Sequence, residues 1–219
     1  MATKKAKKKI TGGKLDLAKE RPEYYGAAKN PQLVRLKPAK YLVIEGAGSP
    51  EDADFQAAIG AMYGVAFTVK MTRKFQGTDY KVSHLEGLWW SDYDCSKLAE
   101  PEALWTVPRQ EWKWKLLIMV PDFVKESEVD KARDRLIEKK GDQTVKRVKL
   151  EKIDEGLCVQ ILHVGPYATE PESILKMCEF MKAQGLKPHG LHHEIYLSDP
   201  RRVPPEKVKT ILRHAVVKV

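Results

Sequence analysis

The chain has 219 residues, 42% of them hydrophobic and 32% charged, which excludes a disordered or fibrous polymer and leaves room for a large buried core. No run approaches the roughly 18 consecutive apolar residues of a membrane helix. The basic start has no apolar stretch behind it, so neither an anchor nor a secretory signal is expected, and the expected compartment is the cytoplasm. The net charge of +9 is concentrated at the start, where Lys4, Lys5, Lys7, Lys8 and Lys9 supply five charges with no acid. That pattern reads as a solvated tail rather than a nucleic-acid surface.

Residues 1–35 are read as this basic tail followed by a polar, turn-rich arm containing Gly12, Gly13, Pro22, Gly26 and Pro31. The apolar run Tyr41 to Ile44, closed by Gly46 and Gly48, is a buried strand. Ser49-Pro50-Glu51-Asp52 starts a helix, with a capping hydroxyl, an early proline and acids at the positive end of the dipole. Phe55, Ile59, Met62, Ala66 and Val69 continue it at helical spacing to about residue 71. A strand follows from Tyr80 to Trp90, with a bulge plausible at Gly87, and another from Trp112 to Val120 pairs with it antiparallel.

The same order then recurs. Asp122 to Lys139 is a surface helix, and Val148–Ile153 and Cys158–His163 are strands around the turn Asp154-Glu155-Gly156. After Val164-Gly165-Pro166-Tyr167 and Glu170-Pro171-Glu172, the residues Ile174, Met177, Cys178 and Met181 define a helix that stops at Gly185. His192 to Leu197 is a strand and Ala215 to Val219 the last edge. The letters repeat too: His84-Leu85-Glu86 precedes Leu88-Trp89-Trp90-Ser91-Asp92, as His192-His193-Glu194 precedes Ile195-Tyr196-Leu197-Ser198-Asp199. A duplicated strand-helix-strand-strand unit, about 36–120 and about 145–219, places a ligand groove where the halves meet.

Trp89, Trp90, Tyr93, Trp105, Trp112 and Trp114 crowd one stretch of the chain. Packing accounts for Trp114 and Trp105; the others are candidates for an aromatic cage that stacks on planar groups and attracts cations. Adjacent strand residues point to opposite faces, so only one of Trp89 and Trp90 lines a given pocket unless a bulge intervenes. Glu194 sits in an apolar strand near the expected sheet centre, either as a desolvated functional acid or as an edge residue paired with Arg201 or Arg202. Glu86 has the same alternatives. His189, His192, His193 and Glu194 resemble metal ligands in type, but strand alternation splits them, so a structural role is expected and no metal site. Cys95, Cys158 and Cys178 have the odd number and wide spacing of reduced thiols, and Cys158 and Cys178 lie in apolar segments unsuited to a nucleophile. There is no glycine-rich phosphate loop and no Gly-x-Ser-x-Gly elbow, so nothing calls for a cofactor.

Gly48-Ser49-Pro50-Glu51-Asp52-Ala53-Asp54-Phe55, Leu85-Glu86-Gly87-Leu88-Trp89-Trp90, His163-Val164-Gly165-Pro166-Tyr167 and His192 through Arg202 resemble the GyrI-like small-molecule-binding family from about Leu36 to the C-terminus. The resemblance implies an α+β fold over 36–219: two pseudo-twofold-related repeats forming an antiparallel sheet, helices on one face and a ligand cleft on the other. No helix-turn-helix segment precedes it, so a stand-alone module is expected. The Leu-Glu-Gly-Leu-Trp-Trp stretch resembles the subgroup that includes cyclopropanoid cyclopropyl hydrolases. By that resemblance Glu194 is the catalytic acid, acting as base or water-positioning group. Tyr196, Trp90, Trp89, Tyr93 and Trp112 form the cage, and Tyr167 offers a hydroxyl at the mouth. Two functions follow: hydrolysis of flat electrophilic xenobiotics, or sequestration of aromatic or cationic ligands without turnover. The partner is a small molecule, not a membrane or nucleic acid, and the chain is expected to be a monomer or weak dimer.

Overall fold

The structure is a computed structural model and describes residues 13–91 and 107–219. The lysine tail, Tyr93, Cys95 and Trp105 lie outside the described residues. The elements are α1 (Leu17–Glu20), α2 (Pro22–Tyr25), β1 (Gln32–Arg35), β2 (Ala39–Ala47), α3 (Ala53–Phe75), β3 (Leu85–Ser91) and β4 (Trp112–Val120). They continue with α4 (Glu126–Lys140), β5 (Lys149–Ile153), β6 (Leu157–Val164), α5 (Glu170–Ala183), β7 (Leu186–Tyr196) and β8 (Lys209–Lys218).

All eight strands form one antiparallel sheet in the order β1-β6-β8-β7-β3-β4-β2-β5. The fold is α+β, and the strand-helix-strand-strand order occurs twice, as β2-α3-β3-β4 and β6-α5-β7-β8. The two units meet at the central pair β3–β7, and the order outward from that seam is the same on both sides. β1 precedes β2 but pairs with β6, while β5 precedes β6 but pairs with β2, so each unit's leading strand closes the other's edge. This exchange joins the halves by main-chain hydrogen bonds as well as by packing.

One face is built by the odd residues of β3 and the even residues of β4. Trp114, Leu116, Ile118 and Val120 pack under α3, whose buried stripe includes Phe55, Ala58, Met62, Val65 and Val69. Gly46 lets the Trp114 ring lie flat on β2: a Cβ there would come within 2.2 Å of the indole. Met177 and Met181 of α5 cover Ile161 and Leu212 on the same face. α4 caps the far end of α3, where Arg73 donates to Glu128 at 2.5 Å. The opposite face is covered by the arm: Leu17, Tyr24 and Tyr25 pack on Tyr41, Val43, Leu117, Met119, Ile195 and Ile211.

Four expectations change. Residues 80–84 leave the sheet; Tyr80 instead bridges to Leu15 and Lys81 N–H donates to the Leu15 carbonyl, which ties down the arm. The last strand is longer than its apolar letters and lies inside the sheet between β6 and β7, not at an edge. The arm carries short helices and an edge strand instead of running extended throughout. Since it occupies the non-helical face, the cleft opens on the helical face, not on the opposite one.

Candidate functional site

A cleft of about 1000 Å³ runs over the β3–β7 seam, between α3 and the start of α5. The duplication produces it: the two helices lie over their own halves, and the seam between them is roofed by neither. Its floor carries Glu194 and Tyr196 from β7 and Trp89 from β3. Glu194 stands opposite Gly87 on one side and Leu212 on the other, in the middle of the sheet, and is 9% exposed.

Aromatic rings form the walls. Phe55 stacks on Trp89 at 5.6 Å between centroids, and Trp112 meets Trp89 edge-on at 5.7 Å. Tyr167 meets Tyr196 edge-on at 6.1 Å near the mouth. The Trp89 indole donates to the Tyr196 hydroxyl oxygen at 3.0 Å, and Glu194 lies beside the same phenol on β7. Both side chains cross directly over Gly87, where a Cβ would come within 2.8 Å of the indole nitrogen and 2.9 Å of the phenol oxygen. The predicted Gly87 bulge is absent, and the glycine serves this close approach. Burial and the Glu194 charge push the Tyr196 phenol well above its usual range, so it stays a neutral donor.

Glu170, the first residue of α5, is the acid that the sequence reading passed over. It lines the cleft, is 1% exposed, and its Oε1 has no hydrogen-bond partner among the described residues. Burial, and then the neighbouring Glu194 charge, raise its carboxyl far above the carboxylate range despite its place at a helix N-terminus. The same two carboxylates, after burial, push Tyr167 up to about 12. Behind Glu194, the His192 ring lies 3.4 Å from its carboxylate, and His214, 6.0 Å from His192 between ring centres, is driven down to about 4 by burial and by that neighbour. The site therefore sets Glu194 beside a second carboxyl that burial keeps protonated, inside aromatic walls.

The strand pairing separates the remaining candidates. Trp89 and Trp112 line the cleft, whereas Trp90 projects from the other face of β3. The strand register also carries Glu86 to that face, where it is 1% exposed, accepts from the Tyr25 hydroxyl at 2.8 Å and lies 3.1 Å from His193. Glu86 and Trp90 are therefore not in the cleft. Arg201 and Arg202 pair with Asp199, at 3.0 and 3.4 Å, leaving Glu194 free of the edge pairing open to it in the sequence. His192 and His193 face opposite sides, and His193 bonds Glu155 at 2.9 Å. The stripe Phe55, Ile59, Tyr63, Phe67 also borders the cleft. Its strict four-residue spacing was a readable sign that α3 has an apolar edge beyond its core face.

An open antiparallel sheet with two helices flanking an aromatic, acid-floored cleft defines a class of small-molecule-binding modules. The model of the GyrI-like small molecule binding domain matches residues 29–214, and the chain belongs to that family. Two crystal structures from Listeria innocua are each 36% identical and are covered over 100% of their length by 93% of this chain. One is of an uncharacterized conserved protein with a TM-score of 0.84, the other of a hydrolase with a TM-score of 0.81. The EcmrR C-terminal domain, 13% identical with a TM-score of 0.55 over 87% of this chain and 98% of its own, shares the fold. No curated protein matches the chain. Among the described residues, no helix is long and apolar enough to cross a membrane.

Proposed function

We propose that the protein binds flat, amphipathic aromatic xenobiotics in this cleft and hydrolyses cyclopropanoid DNA-alkylating compounds. The observation that carries the reading is Glu194, a largely buried carboxylate at the floor of a ring-lined cleft, with Tyr196 beside it and, among the described residues, no lysine or arginine paired to it. A planar ligand stacked against Trp89, Trp112 and Tyr167 would bring its strained carbon down to the Glu194 carboxylate. Each such stacking contact contributes about 1–3 kcal/mol.

The chemistry follows from the groups present. Water placed between Glu194 and the ligand loses a proton to the carboxylate as its oxygen bonds to the cyclopropane methylene. The broken C–C bond delivers its electrons into the conjugated dienone, which leaves as a phenolate and takes a proton from solvent as Glu194 releases its own, so that the net change is one water added. Tyr196, kept neutral, orients the carboxylate and the water and is not itself the base. Resemblance to a Listeria innocua hydrolase at 36% identity supports turnover over mere capture. The test is ring opening of a cyclopropanoid, followed chromatographically. Glu194→Gln should lower turnover by about 10²–10⁴-fold while retaining a neutral polycyclic dye. Unchanged turnover would remove Glu194 from the mechanism, and dye binding without ring opening by the wild type would leave a sequestering protein.

A further inference from the structure

Opening a cyclopropanoid leaves Glu170 without a task. In that reaction the electrons leave toward a remote oxygen, so no proton donor is needed beside the attacked carbon. Yet Glu170 faces the cleft at 1% exposure, with Oε1 unpartnered among the described residues. A buried carboxyl with an unmade hydrogen bond costs about 1–3 kcal/mol. The chain does satisfy buried acids elsewhere: on the opposite face Glu155 bonds His193 and Arg213, and Glu86 bonds Tyr25. Glu170, beside Thr210 and with one oxygen left unpartnered among the described residues, lies where a ligand enters.

We infer that the cleft also hydrolyses aryl-substituted epoxides to vicinal diols, with Glu194 as base toward water and Glu170 as acid toward the ring oxygen. This rests on the reading of the cleft as a hydrolytic site and extends its substrate class. An epoxide differs from a cyclopropanoid in the respect that matters here: the leaving atom is bonded to the attacked carbon itself. An alkoxide is a poor leaving group, so a neutral acid must reach that oxygen while a base serves the water a few ångströms away. Glu170, whose carboxyl is held protonated by burial, and Glu194 open on the same cleft and supply both halves. The rings of Phe55, Trp89 and Trp112 select aryl substituents, and about 1000 Å³ accommodates two of them.

The step balances without a cofactor. Glu194 takes one proton from water, the water oxygen bonds to carbon, the ring C–O bond breaks, and the freed oxygen takes the Glu170 proton. Return of the Glu194 proton to Glu170 restores both groups, and the net change is one water added.

The test uses the full chain and trans-stilbene oxide, with the diol quantified against the spontaneous rate. Single-turnover reaction in ¹⁸O-water distinguishes direct attack by water, which labels the diol at once, from attack by a carboxylate, which does not. The expected result is a labelled diol, with formation lowered about 10²-fold or more in Glu170→Gln and partly restored in Glu170→Asp. Should Glu170→Gln fail to fold, judged by its melting curve, the wild-type assay and Glu170→Asp still decide. No diol above background, an unlabelled single-turnover product, or full activity in Glu170→Gln overturns the inference. Ring opening of a cyclopropanoid without epoxide hydrolysis would overturn it alone; loss of both reactions with dye still bound would overturn the hydrolytic reading as well.

Discussion

On β7, His193 and Glu194 are neighbours in the chain and lie on opposite faces of the sheet, and the acids around them are treated in opposite ways. Behind the sheet, Glu155 and Glu86 flank His193 at 2.9 and 3.1 Å, and Arg213, fully buried, donates to Gln160 at 3.1 Å, to Glu155 at 3.3 Å and to the Tyr24 carbonyl at 2.5 Å. There the cations hold Glu155 down to about 2 against its burial, and the two acids raise His193 to about 9. In front, among the described residues, no arginine or lysine pairs with Glu170 or Glu194, and burial with the neighbouring Glu194 charge keeps Glu170 protonated. Buried charge matched within the protein fastens the arm to the sheet; unmatched acid facing a cleft is available for chemistry.

The comparison breaks most visibly if Arg213 is removed. Arg213→Met leaves Glu155 buried without its guanidinium, and a loss of about 3–5 kcal/mol is expected, read as a lower midpoint in urea with the arm exposed to proteolysis. A loss below about 1 kcal/mol would mean that the network is decoration.

A pH series probes the rear face next. His193 is raised from 6.5 to about 9 on folding, so its stabilisation is complete below pH 6.5 and is lost as pH rises through 9. Glu155 is lowered from 4.5 to about 2, so its contribution is present above pH 4.5 and is lost as pH falls through 2. Urea midpoints should therefore fall between pH 6.5 and 9 in the wild type and stay flatter in His193→Gln. An equal slope in both would assign the titration elsewhere.

Gly87→Ala probes the front face. The added methyl meets Trp89 and Tyr196 at under 3 Å, and overpacking of this kind costs about 1–3 kcal/mol. Dye affinity and tryptophan fluorescence should both change; wild-type affinity would show that the two rings do not shape the bound state. The smallest effect sharpens the contrast between adjacent residues. Trp89→Phe should weaken dye binding by about 0.5–1.5 kcal/mol in a fluorescence titration, and Trp90→Phe should leave it unaltered. The reverse ranking would mean that the pairing of β3 differs in solution.

Much of this was legible in the letters. Glycine and proline punctuation with two periodicities located β2, α3, β4, α5, β5 and β6 to within a few residues, because each is set by local burial and turn chemistry. The repeated His-x-Glu and Ser-Asp letters disclosed the duplication, while the apolar strand around Glu194 left a buried acid and an exposed edge residue both open until the strand pairing decided. The choice between Trp89 and Trp90 was posed correctly by alternation, but alternation alone has no sign.

What only the tertiary structure decided is the sign and the company of each side chain. Pairing of β3 with β7 placed Glu86 and Glu194 on opposite faces although their motifs look alike. The arm, whose short polar segments have no strong period, chose which face remained open. Glu170 gave no signal because an acid in a first helical turn is the most ordinary of capping residues; its meaning came from Glu194, across the cleft on another element. Local sequence determines elements because their hydrogen bonds and periodicity are local, whereas a proton's place in a cleft depends on burial and charge contributed by segments far apart in the chain.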